Sequence, residues 1–249
     1  MITKEPRLGK IQILDEREPW AAQHGQTIVR WSMLLMENGR QVGQLEDYAT
    51  MLTPDTDHTA WAPSDSVFTS IGFTPPTAEP KARVSALCVA DHTPGVRARW
   101  KVTRSRQELW RLKDAQAQQA LLIEAQAQFE TAQAELAALE GPLDLTLHQE
   151  TRFNLAEILS DGQIQVRLRK CICENGAVIS PPQYHRIVLQ PGGNHGGTLA
   201  MINPARARDE GAPALSQRDI DRIVRICATD HTLGRITAWQ AAEAARRRP

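Results

Sequence analysis

The chain carries one sequence pattern twice, and that repetition limits its fold more than any other feature. Gly25-Gln26-x-x-Val29-Arg30, then Glu37-Asn38-Gly39, then Leu52, Pro54 and His58, recurs 137 positions later. There it reads Gly162-Gln163-x-x-Val166-Arg167, Glu174-Asn175-Gly176, Leu189, Pro191 and His195, with ten of 34 aligned positions identical. A second block, Cys88-x-x-Asp91-His92-Thr93-x-Gly95-x-x-x-x-Trp100, returns 139 positions on as Cys227-x-x-Asp230-His231-Thr232-x-Gly234-x-x-x-x-Trp239, with six of 13 positions identical. Two blocks in one order at nearly one offset imply a duplicated and fused module. A period this long means a tandem domain pair rather than a solenoid. The two extra residues fit the segment between His195 and Ser216, where loops absorb insertions. The division expected is 1–103 for a first module, 104–141 for a helical connector and 142–249 for a second module.

At 249 residues the chain has room for two modules of roughly 90–100 residues, each with its own small core. Hydrophobic and charged contents of 41% and 23% are ordinary for globular chains. A formal net charge of +0 argues against a nucleic-acid partner held by a broad basic surface. No apolar run approaches the roughly 18 residues of a membrane span, and the N-terminus lacks a signal-peptide core. The expectation is synthesis in the cytoplasm and no membrane partner. The four cysteines do not read as a disulfide framework, since Cys171 and Cys173 are too close to bridge comfortably.

The second module has the clearer pattern. Asp161-Gly162 is a turn, and Gln163 to Cys173 alternates like a half-buried strand, with a slip near Lys170 that suggests a bulge there. Asn175-Gly176 favours a type I′ turn. Ala177 to Ser180 starts back, Pro181-Pro182 interrupts, and Tyr184 to Gln190 forms another strand ended by Pro191-Gly192-Gly193. A helix follows with Ser216 as N-cap, Asp219 in its first turn, and Ile220, Ile223, Val224 and Cys227 at helical spacing. In the first module Thr77, Val84, Leu87 and Cys88 take the places of Ser216, Ile223, Ile226 and Cys227. Asp-His-Thr breaks each helix, and Thr93-Pro94 starts the next. Trp100 and Trp239 are expected on buried faces two turns in. The fold class expected is α+β: two tandem copies of a small antiparallel sheet backed by helices, joined by a long helix.

That connector, from about Ser105 to Glu140, opens on a capping box, Ser105-Arg-Gln-Glu108, and stops at Gly141-Pro142. Ala115, Gln118, Leu122, Ala125, Phe129, Ala132, Leu136 and Leu139 form a heptad-like seam. It offers either weak self-association or packing on the chain's own modules. Alanine and glutamine bury little area per heptad, so packing within the chain is preferred and a monomer or weak oligomer is expected.

The duplicated polar set admits a metal reading. His58, Cys88, Asp91 and His92, and their counterparts His195, Cys227, Asp230 and His231, have zinc-ligand chemistry. Their spacing matches no established metal motif, and a structural reading covers them: the cysteine as a small hydrophobe, Asp-His-Thr as turn and cap groups. The reading adopted is therefore no metal and no cofactor, with those eight residues as the candidate ligands. Gly192-Gly-Asn-His195-Gly-Gly197 lacks a P-loop lysine and dinucleotide spacing and reads as a flexible connection. No catalytic motif or nucleophile–base pair is recognisable, and the loop acids Asp47, Asp55, Asp57 and Asp65 read as turn formers. No catalytic residue is assigned. Arg246-Arg247-Arg248 complements the carbonyl end of a last helix over Ala238 to Ala245, docked through Trp239.

The run Asp161-Gly-Gln-Ile-Gln-Val-Arg167, through Glu174-Asn-Gly176 to Tyr184-His185-Arg186-Ile-Val-Leu-Gln-Pro191-Gly192, resembles a theme of tailed-bacteriophage tail and tail-fibre-associated proteins. It covers about 30 residues closely. In the first module Asp47-Tyr48-Ala49 stands where the second has Tyr-His-Arg. The resemblance implies a virion structural protein at the baseplate, tail tip or fibre junction, acting as an adaptor between other phage tail proteins, not an enzyme. Two alternatives stand beside it: a small metal-dependent phage hydrolase using the Cys/Asp/His set, and a non-virion tail assembly chaperone.

Overall fold

The computed structural model describes residues 2–15, 25–56, 65–115, 119–140, 146–174, 177–210 and 213–246. The protein is α+β: one curled antiparallel sheet of eight strands with seven helices among the described residues. In the first half lie β1 (Ile2–Leu14), β2 (Thr27–Glu37), β3 (Arg40–Gln44), β4 (Tyr48–Leu52), α1 (Asp65–Ser70), α2 (Ala78–Asp91) and α3 (Pro94–Asp114). After α4 (Gln119–Glu140) come β5 (His148–Ile158), β6 (Ile164–Glu174), β7 (Ala177–Val178), β8 (Gln183–Leu189), α5 (His195–Glu210), α6 (Gln217–Asp230) and α7 (Leu233–Arg246).

The sheet runs β3-β2-β1-β5-β6-β7, with β4 on β2 and β8 on β6. The halves meet where β1 pairs antiparallel with β5, Ile11 to Leu14 against Ile158 to Leu155. These two strands carry little sequence signal. Pro6, Gly9 and four charged residues break up β1, so the reading of two separate sheets missed both strands and the seam between them. One hydrophobic core spans both halves, including Ile11, Val29, Trp31, Phe68, Leu87, Phe153, Val166, Leu168, Ile223 and Ile226.

The elements of the two halves match in length and local form. Thr27–Glu37 and Ile164–Glu174 are 11-residue strands 137 positions apart; Ala78–Asp91 and Gln217–Asp230 are 14-residue helices 139 apart. Val29 and Val166 are both completely buried. Gly25 (φ 65°) and Gly162 (φ 89°) precede β2 and β6 in the left-handed region, which a side chain would strain. Asn38 and Gly39 take φ of 51° and 75°, as a type I′ turn requires; Asn175-Gly176 lies outside the described residues. β1 and β2 slip register between Leu8 and Lys10, and β5 and β6 between Phe153 and Leu155. The bulge expected near Lys170 is therefore absent from β6, whose register is continuous; the extra residue sits opposite, on β5. The alternation slips at Lys170 because both Leu168 and Arg169 are buried there.

The connector is not one long helix. α3 runs through Ser105 to Asp114, so Ser105 begins nothing, and α4 folds back along α3. Ala132 and Leu136 pack on Ala98 and Val102, and Ala125 packs on Leu109 and Leu112, with Phe129 between the two groups. Of the seam, Leu122, Ala125, Phe129, Ala132 and Leu136 are thus used within the chain; Ala115 and Leu139 are exposed, and Gln118 lies outside the described residues. Trp100 is buried at 4% exposure, whereas Trp239 is only half-buried, and α7 has no buried residue. That helix lies against the outside of the fold: a Cβ on Gly192 would meet Ile236 at 3.1 Å.

Candidate functional site

Two helix C-termini organise the duplicated polar residues. Cys227 and His231 are four residues apart, so α6 presents both on one side. His231 caps α6, its backbone N–H donating to the Cys227 carbonyl at 2.8 Å. His92 caps α2 identically on Cys88, also at 2.8 Å. Thr93 accepts from Val96 N–H at the start of α3. The cap role expected of Asp-His-Thr is seen at these ends.

Both aspartates pair with an arginine of the other helix. Asp230 accepts two bonds from Arg83 of α2, at 2.7 and 3.1 Å. Asp91 accepts two from Arg222 of α6, at 2.7 and 2.9 Å. Arg83 and Arg222 are themselves 139 positions apart, so the two ion pairs cross reciprocally between α2 and α6. Arg222 also lies 4.5 Å from the centre of the Phe153 ring. These aspartates tie the halves together and do not join the histidines.

His195 does join them. Its Nε2 lies 2.9 Å from His231 Nδ1, and His231 Nε2 lies 2.8 Å from the Gly162 carbonyl. A carbonyl only accepts, so His231 carries its proton on Nε2 and turns the Nδ1 lone pair toward His195. Cys227 Sγ completes a group of three whose ligand atoms all lie within 4.8 Å of one another. Burial is the main cause that lowers the pKa of both imidazoles, with the His231 charge adding to the effect at His195. Burial pushes the Cys227 thiol up to about 12.

The glycine-rich run is not a loose connection. Asn194 Oδ1 accepts from Gly197 N–H at 3.0 Å, and its carbonyl accepts from Thr198 N–H at 2.9 Å. Asn194 thus caps α5, and His195 is the first helical residue. In the first half, Cys88 is fully buried and His92 Nε2 lies 3.3 Å from Thr27 Oγ1. His58 lies outside the described residues. Of the eight candidates, His195, Cys227 and His231 come together, Asp91 and Asp230 are spent in ion pairs, and Cys88 and His92 sit on the matching cap.

Sequence reasoning missed a second polar group, on β5 and β6. Cys171 and Cys173 point to the same side, with sulfurs 3.7 Å apart. Cys173 Sγ donates to Glu150 Oε1 at 3.1 Å, and Arg152, 2% exposed, pairs with the same oxygen at 3.2 Å. His148, Glu150 and Cys173 also hold ligand atoms within 4.8 Å. The thiol spacing was visible in the sequence, but Glu150 and Arg152 lie on the unrecognised strand β5.

No protein family, no curated protein and no solved structure matches the chain.

Proposed function

We propose that the chain is two copies of one module fused edge to edge, serving as a structural adaptor in a bacteriophage tail. The observation that carries the adaptor role is two matched pairs of exposed apolar positions at the two ends of the sheet. Val42 and Met51, on β3 and β4, are 52% and 53% exposed. Ile179 and Val188, each 137 positions further on, beside β7 and within β8, are 55% and 50% exposed. Terminal strands keep backbone groups free to pair, and apolar side chains there are normally avoided. Keeping them at both ends suits a chain that joins two similar neighbours, and two linked weak contacts gain avidity.

The tail assignment rests on the resemblance around Asp161-Gly162, Gln163 to Arg167 and Tyr184 to Gly192. Those residues form β6, β8 and their turns, and Arg167 stacks on the half-exposed Tyr184 ring, 4.6 Å from its centre. The partners proposed are other phage tail proteins, with no nucleic acid and no cofactor in the adaptor role. No helix among the described residues is long and apolar enough to cross a membrane. Mass spectrometry of purified particles from the phage that encodes the chain tests the assignment. The chain should appear at a fixed ratio to tail proteins. Its absence from particles, with abundance in the lysate, would point instead to an assembly chaperone.

A further inference from the structure

We propose that His195, Cys227 and His231 bind one zinc-type divalent cation, with water at the fourth position. The donor set is two imidazoles and a thiol. That chemistry selects zinc or cobalt over magnesium and calcium, which take oxygen ligands. The ligands come from the start of α5 and the end of α6, both fixed elements, rather than from loop side chains.

The distances suit an ion with little rearrangement. Zinc–nitrogen bonds of 2.0–2.1 Å in a tetrahedron separate two nitrogens by roughly 3.3 Å, and a nitrogen and a sulfur by roughly 3.6 Å. The two ring nitrogens, now 2.9 Å apart, open by a few tenths of an ångström. The thiol closes from within 4.8 Å. The Gly162 carbonyl on His231 Nε2 is the outer-shell partner that metal-bound histidines commonly have, and it already aims the Nδ1 lone pair inward. On binding, the Cys227 thiol releases its proton to solvent and its sulfur forms the metal bond. In the free protein His195 Nε2–H donates to His231 Nδ1; on binding, that proton leaves to solvent and Nδ1 takes one up from solvent, so that Nε2 is free to ligate. Cys227 and His231 are buried and His195 is half-buried, so the fourth position opens on the His195 side.

The rival group is poorer. Glu150 Oε1 is already held by Cys173 and by the Arg152 guanidinium at 3.2 Å, and a fixed positive charge at that distance repels a cation. The inference does not depend on the tail assignment, which particle composition tests separately.

Cobalt(II) titration of the reduced, chelator-stripped full chain is the test. One equivalent should give tetrahedral ligand-field bands and a thiolate-to-cobalt charge-transfer band, all displaced by one equivalent of zinc. Cys227→Ser should remove the charge-transfer band, and Cys173→Ser should leave it unchanged. Cys227 is fully buried, so His195→Gln, at a half-buried position, provides the second arm. It should keep the wild-type circular dichroism and weaken zinc binding by at least about tenfold. A wild-type chain that takes up no cobalt overturns the proposal. So does a charge-transfer band lost in Cys173→Ser but kept in Cys227→Ser, or zinc affinity unchanged by His195→Gln.

Discussion

Truncating Asp91 should destabilise the protein more than truncating Asp230, although the two occupy equivalent places. Arg222 and Asp91 form a two-pronged pair with side chains only 3% and 1% exposed. Asp91→Ala leaves the guanidinium buried without its counter-charge, a change that costs about 3–5 kcal/mol. The Phe153 ring and the Leu14 carbonyl at 3.5 Å are among the contacts that remain, and neither carries a charge. In the sister pair Asp230 is fully buried but Arg83 is 12% exposed. Arg83 is freer to swing into water, so Asp230→Ala should cost less, on the order of 2 kcal/mol. Urea unfolding at neutral pH, followed by circular dichroism, measures both, with the slope against denaturant unchanged if only stability moves. Adding Arg222→Met to Asp91→Ala removes the buried positive charge and should recover stability, with a coupling on the order of 1–3 kcal/mol. Equal losses from the two aspartates, or an additive double mutant, would show that burial of Arg222 does not set the cost of losing Asp91.

Trp100→Ala should cost roughly 3–5 kcal/mol, and Trp239→Ala clearly less, because α7 lies on the outside; melting temperatures compare them. Because the seam is used within the chain, light scattering should report a monomer or weak oligomer. Changing Leu122, Phe129 and Leu136 together to Ser should reduce helicity and stability without dissociating any tight oligomer. Burial raises the Cys88 thiol from 9.0 to about 12. Its folded pKa lies above its unfolded value, so its contribution is complete below pH 9 and is lost as pH rises toward 12. Cys88→Ala should flatten that alkaline decline in a pH series of denaturation curves.

Strands β6 and β8 and helices α2 and α6 were legible because each combines a period with a local signal: Gly162 before β6, Pro191-Gly192 after β8, Asp-His-Thr after each helix; β2 was reached only through its recurrence in β6. Their boundaries depend on local chemistry that the sequence displays. β1 and β5 were hidden because their pairing with each other is long-range. Residues 150–156 of β5 alternate poorly because the sheet curls and both faces are covered, so Arg152 and Asn154 are as buried as Phe153. The connector read as one helix since no proline or glycine interrupts Ser105 to Glu140, although the chain reverses after Asp114. At the site, the residue types and their recurrence 139 positions on were readable. Which of them converge was not, because the aspartates' partners, Arg83 and Arg222, lie across the α2–α6 contact. The helical character of the glycine run was signalled only by Asn194 as a cap.

If the two ends of the sheet grip two tail neighbours, as proposed, incorporation into particles measures it directly. Phage stocks carrying Val42→Lys with Met51→Lys, Ile179→Lys with Val188→Lys, or all four changes should be compared by quantitative mass spectrometry of purified particles. All four side chains are at least half exposed, so the folded chain should persist in the lysate. Each two-residue variant should lower the amount of the chain per particle, and the four-residue variant should abolish it. Wild-type incorporation of the four-residue variant would contradict a role for the sheet ends in holding tail neighbours.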